Sequence, residues 1–240
     1  MYYGKTDKGK VRKENQDNFE CFETAGISCL IVCDGMGGAK GGKVASDVCI
    51  KNISCVLKEN LVKDMTEQEI MKAMKTAVKK ANKEVFTLSR TDETLAGMGT
   101  TLVLALVREN RFFYTHLGDS RLYGIDSKEA IRLTKDHSFV QEMVNLGELT
   151  AEEAEHHPNK NIITNAIGIA EQPKFEIKAD KLENRTLLLC SDGLSNMLSD
   201  KLIAELIRKY GVTQASVEAF IAAANKKGGT DNITVLVYGG

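Results

Sequence analysis

The sequence predicts an α+β fold built in layers. Two observations carry that prediction. Helical patterns occur in pairs between groups of strand patterns, whereas a doubly wound parallel sheet would interleave one helix per strand. The strands themselves are short apolar runs rich in β-branched residues.

Taken in chain order, the first apolar run is Ile27 to Cys33, which halts at Asp34 with five glycines among the next eight residues. Val44, Val48 and Cys49 then open a helical stripe that Ile53, Val56 and Leu57 continue. From Glu67, residues Ile70, Met74, Val78, Ala81 and Val85 recur at helical intervals, with lysines on the other face. Runs from Thr101 to Val107 and Phe112 to Leu117 flank the polar RENR, which predicts a hairpin. Residues from about Asp136 to Pro173 break the rhythm, carrying short helical patches and a Thr150–Glu153 capping box. This segment reads either as an insertion beside a site or as an ordinary helical connection. A strand at Thr186 to Cys190 follows. Two more helices follow it, one on Leu202, Leu206 and Ile207 and one on Val217, Phe220, Ile221 and Ala224. A last strand runs from Ile233 to Tyr238. With two prolines and no linker-like tract, residues 1–240 are expected to form one domain.

Composition excludes several functions. The chain has 32 basic and 33 acidic residues, a net charge of −1, and so no general attraction to nucleic acid or to an anionic membrane. No apolar run approaches the roughly 20 residues that span a bilayer, and MYYGKTDKGKVRKENQD lacks the apolar core of a signal peptide. A cytoplasmic monomer is expected, with its six cysteines reduced. No Cys-x-x-Cys pair with a second such pair or a histidine partner appears, so zinc is not expected and the cysteines read as structural.

Carboxylates punctuate the strand ends. Besides Asp34, YTHLGDSR ends a run at Asp119, TLLLCSDGL ends one at Asp192, GGTDNITVLVY sets Asp231 before a strand, and RKENQDNF sets Asp17 before Phe19. One such acid is ordinarily a turn former. Several invite a shared site, because crowded carboxylates raise one another's pKa until a cation neutralises them. Oxygen donors at that density suit Mg²⁺ or Mn²⁺.

The ordered set VRKENQD, DGMGG with GGKVAS, GTT, GDSR, LTKDHS, SDGL and DNIT resembles the metal-dependent serine/threonine phosphatases of the protein phosphatase 2C family, and within it the bacterial members. The likeness runs from about Asp7 to Val237. It implies a four-layer α-β-β-α sandwich, a central antiparallel β-sandwich flanked by helix pairs. A flap insertion at about 136–173 would stand beside a centre of two Mn²⁺ or Mg²⁺ ions. By this resemblance Asp34 bridges the ions, the Gly35 carbonyl ligates one, and Asp192 and Asp231 hold the other. Asp17 lies in the second ion's shell, and Asp119 with Asp192 holds a third, weaker ion. A bridging water would attack phosphorus while Arg12 grips the phosphate oxygens. Arg12, Asp34 and Asp192 would carry the catalysis. The implied substrates are phosphoproteins, and the implied partner is a cognate Ser/Thr kinase.

Two positions depart from the family pattern. Gln16 stands where an acid is common, and Met36 stands where many eukaryotic members carry a histidine that protonates the leaving alcohol. His137 is the nearest alternative acid, and otherwise an ordinary polar loop residue. His156 and His157 read as surface residues. Competing motifs fail: GGAKGGK is followed by Val44, so a nucleotide-binding loop lacks its Mg²⁺-binding hydroxyl. Lys40 breaks the dinucleotide fingerprint, and Asn196 replaces the arginine that a cysteine-phosphatase loop places six residues after Cys190. A catalytically dead phosphatase fold serving as a binding module would show lost metal acids, and all five aspartates are present.

Overall fold

Neighbouring residues of a strand face opposite ways, and here both ways lead into a core. The computed structural model describes residues 1–239. In strand β3 (Ile27–Met36), which follows β1 (Tyr2–Asp7) and β2 (Asp17–Thr24), Leu30 and Val32 enter the space between two sheets. Cys29, Ile31 and Cys33 enter a second apolar layer beneath a helix pair, α1 (Gly38–Asn60) and α2 (Glu67–Thr91). Burial on both faces is why the run reads as unbroken apolar sequence and does not alternate. The helix pair buries Ile53, Leu57, Met74 and Val78 against it.

The remaining elements complete the layers. Strands β4 (Gly99–Thr100), β5 (Leu102–Arg108), β6 (Arg111–Leu117), β7 (Arg121–Ile125) and β8 (Ala130–Arg132) precede two short helices, α3 (Phe139–Leu146) and α4 (Ala151–His156). Strands β9 (Lys178–Lys181) and β10 (Thr186–Cys190) lead to α5 (Asp192–Ser195), α6 (Asp200–Tyr210), α7 (Gln214–Lys226) and β11 (Ile233–Tyr238). One sheet runs β1-β11-β10-β7-β8 and the other β2-β3-β5-β6-β9, with β4 paired to β3. Every pairing is antiparallel. A third apolar layer, with Phe220, Ile203, Leu188 and Val235, joins α6 and α7 to the outer face of the first sheet. The chain thus has the α-β-β-α layering and the RENR hairpin, with Arg108 paired to Arg111.

Six strands escape the apolar-run criterion. Strands β1, β2, β8 and β9 are sheet edges, where one flank meets solvent and polar residues such as Lys5, Glu20 and Lys178 are tolerated. β4 has only two residues, and β7 is interrupted by Gly124. Between Asp136 and Pro173, α3 buries only Val140 and α4 buries nothing. This segment rejoins the body through bridges from Ser138 to Ile163 and from Thr100 to Ile167.

Candidate metal centre

Asp17 and Asp34 stand directly opposite each other across the β2–β3 ladder. Like charges in that position repel, so the local sequence has placed two carboxylates where a sheet alone would reject them. Strand β3 does not end at Asp34 but continues to Met36, carrying the acid into a cleft of about 550 Å³ at one edge of the sandwich. Arg12, Asp34, Gly35, Asp119, Asp192 and Asp231 line this cleft. Asp17 is buried behind Asp34. All seven site residues read from the sequence therefore meet at one place.

Hydroxyl groups hold the acids. Asp17 Oδ2 accepts from Ser191 Oγ and from Thr234 Oγ1, both at 2.7 Å. On the opposite side, the Asp34 N–H donates to Thr101 Oγ1 at 2.9 Å, and Thr101 Oγ1 lies 2.7 Å from Ser120 Oγ. Asp192 Oδ2 accepts from Asn196 Nδ2 at 3.0 Å. The other oxygens, Asp17 Oδ1 and Asp192 Oδ1, are buried and meet no donor. Such orphaned acceptors are costly unless something else satisfies them.

Electrostatics point the same way. The charges of Asp17 and Asp192 both bear on buried Asp34, a crowding that ionised carboxylates tolerate only around a proton or a cation. Burial, then the charges of Asp17 and Asp192, push Asp34 well above the usual carboxylate range. Burial is also the first cause at Asp17, raised to about 7, at Asp119, raised to about 8, and at Asp192, raised to about 6. Arg12 Nη2 donates to Asp231 Oδ2 at 2.7 Å and supplies one counter-charge. Among the described residues no three acidic, histidine or cysteine side chains already form a closed coordination set. The acids surround the cleft without enclosing a point. The donor set is all oxygen, which fits hard divalent cations.

Both departures from the family pattern, Gln16 and Met36, line the cleft. Gln16 donates from Nε2 to the Gly38 carbonyl at 2.9 Å. His137 does not line the cleft. It stacks on His116, with ring centroids 4.5 Å apart, and its Nδ1 accepts from the Gly118 N–H. Sequence reasoning missed Thr101, Ser191, Thr234 and Asn232, although each sits inside a motif it used. The signal lies in GTT, SDGL and DNIT, whose hydroxyl and amide side chains look like ordinary turn and strand residues.

The sequence profile of the protein phosphatase 2C family matches residues 8–228. A serine/threonine phosphatase stp of Listeria monocytogenes serotype 4b (strain F2365) is 37% identical over 235 residues, which is 97% of this chain and 93% of that protein. The solved serine/threonine phosphatase of S. agalactiae superposes with a TM-score of 0.93 at 35% identity, covering 100% of this chain and 99% of that one. The catalytic domain of the serine/threonine protein phosphatase PstP, solved in complex with two manganese ions, gives a TM-score of 0.81 at 32% identity, covering 99% and 96%.

Proposed function

Because this chain belongs to the protein phosphatase 2C family, and so is a metal-dependent serine/threonine protein phosphatase, we propose that the aspartate-lined cleft is its catalytic centre. One observation carries the reading: carboxylates converge on a cleft, and a buried oxygen of Asp192 and one of Asp17 behind it have no donor. Asp34, the Gly35 carbonyl, Asp192 and Asp231 are the ligands we assign to a pair of Mn²⁺ or Mg²⁺ ions. Asp17 sits behind them, and Asp119 with Asp192 makes a third, weaker site. When bound, the ions supply an acidified water nucleophile and neutralise charge on the phosphoryl oxygens.

The protein's own groups do the positioning. Asp17, clamped on one oxygen by Ser191 and Thr234, keeps its other oxygen buried and free of any protein donor. Arg12 is exposed at the mouth, and its planar fork can exchange Asp231 for a substrate phosphate. Among the described residues no histidine lines the cleft, and its carboxylates are taken up by the ions, so the leaving alkoxide takes its proton from solvent there. Phosphoproteins are the substrates. We further propose that residues 1–240 act as one monomeric catalytic unit in the cytoplasm, opposite a cognate Ser/Thr kinase, with 136–173 as the flap. No helix among the described residues is long and apolar enough to cross a membrane.

The test is hydrolysis of a phosphothreonine peptide by purified protein with Mn²⁺, after chelation, and after re-addition of Mn²⁺ or Mg²⁺. Activity should vanish and return. A folded protein inactive with both metals and several peptides would instead make the chain a binding module.

A further inference from the structure

Arg12 sits on an arm, residues 8–16, that joins β1 to β2 without regular structure, and Lys8 and residues 10–14 are exposed. Val11, the arm's large apolar residue, is 65% exposed, so apolar packing does not hold the arm in place. Hydrogen bonds must place it, and three of them meet on one side chain. Asn232 is 5% exposed; its Nδ2 donates to the carbonyls of Lys8 and Glu14, both at 2.9 Å. Its Oδ1 accepts the Gln16 N–H at 2.9 Å. The amide thus grips the arm at its start, past its middle and at its end. A fourth tether, from the Lys10 N–H to the Gly229 carbonyl at 2.8 Å, comes from the same loop that carries Asn232.

We propose that Asn232 is the positioning residue for Arg12, holding the arm so that the guanidinium faces the cleft beside Asp231. The inference rests on the assignment of Arg12 to the phosphate site. An amide is the side chain that suits this place, since it offers one acceptor and two donors to two carbonyls and an N–H. Aspartate has the same shape and keeps the acceptor but would set a carboxylate against two carbonyl oxygens. The backbone here is also closed to adjustment. A Cβ on Gly9 would stand 2.2 Å from the Asp231 carbonyl, and one on Gly193 would stand 1.9 Å from that of Asn232.

The experiment is a double-mutant cycle on R12A and N232A, with N232D as the variant of unchanged shape. KM for a phosphothreonine peptide and the inhibition constant of inorganic phosphate would be measured at saturating Mn²⁺, beside trypsin cleavage at Lys10, Arg12 and Lys13. R12A and N232A should each raise both constants roughly tenfold, and the double variant should be no worse than R12A alone. N232A and N232D should be cut in the arm faster than the parent. Additive effects, or a raised Mn²⁺ requirement with phosphate inhibition unchanged, would assign Asn232 to Asp231 and overturn the proposal. If R12A alone changes neither constant, the phosphate-site reading falls and this inference falls with it. Should N232A fail to fold, N232D with trypsin cleavage and phosphate inhibition like the parent's would overturn the proposal by itself.

Discussion

Asp34 shows what a single residue contributes. It faces Asp17 across a strand pair and is pushed far up in pKa by burial and by its neighbours' charges. Asp34→Asn removes this crowded, buried carboxylate at nearly constant volume. Turnover should fall by at least about a thousandfold, since the residue stands at the centre of the cluster. The metal-free variant should nonetheless melt higher than the parent, because a repulsion has gone. Asp192→Asn should do the same. Mn²⁺-dependent hydrolysis and a thermal melt in chelator check both; unchanged turnover in either variant would remove that residue from the site. The aspartates were legible because carboxylates at several strand ends invite a shared site and the ordered motifs that carry them resemble a metal-dependent family. Thr101, Ser191, Thr234 and Asn232 were not, because threonine, serine and asparagine are ordinary in turns and strands. Only the folded geometry shows what their polar atoms grip.

Helices and strands were legible in proportion to how much of each is buried. α1 and α2 press a continuous stripe on the second sheet, and Thr66 and Glu69 close a capping box at the start of α2. Edge strands bury one face in part and carry no such signature. The element least visible in sequence is the return of the 136–173 segment, which is fastened by a side chain of α2. Asn82, wholly buried, donates from Nδ2 to the carbonyls of Ala170 and Glu171 at 2.9 and 3.1 Å, and its Oδ1 accepts the Gly168 N–H at 2.9 Å. Within the α2 stripe an asparagine among alanines and valines looks like noise. Asn82→Ala would strand a buried N–H and lose two further bonds, at a cost of about 2–3 kcal/mol. For a chain of this size that lowers the melting temperature by roughly 5–10 °C. A melt within a degree of the parent's would mean that the segment is fastened elsewhere.

For the whole molecule, the acidic cluster makes stability depend on pH in an unusual direction. Asp17 and Asp119 titrate near 7 and 8 in the folded chain, against 3.8 as the ordinary value, because burial disfavours their charged forms. Asp34 lies higher still than the ordinary range. Between those limits the folded state binds more protons than the unfolded one, so stability falls as pH rises. Other groups act outside this window. The solvated carboxylates Glu67, Glu69 and Glu153 are lowered by hydrogen bonds and matter only in acid. His116, held down to about 4 by burial, raises stability with pH only up to the ordinary histidine value of 6.5. The buried thiols of Cys29 and Cys190 are raised to about 12 and add their slope above the thiol range. From about pH 6.5 to 8 the cluster therefore sets the slope. Chelated protein should melt lower at the upper end of this interval, with the slope flattened in Asp34→Asn. Mn²⁺ stabilises only the folded cluster, so it should lift the melt more at about pH 8 than at about pH 6.5, where protons compete for the same oxygens. Calorimetry with and without the ion at both pH values measures all of this. A chelated protein that melts equally at both, or higher at the alkaline end, would mean that these carboxylates are neutralised by something other than a cation.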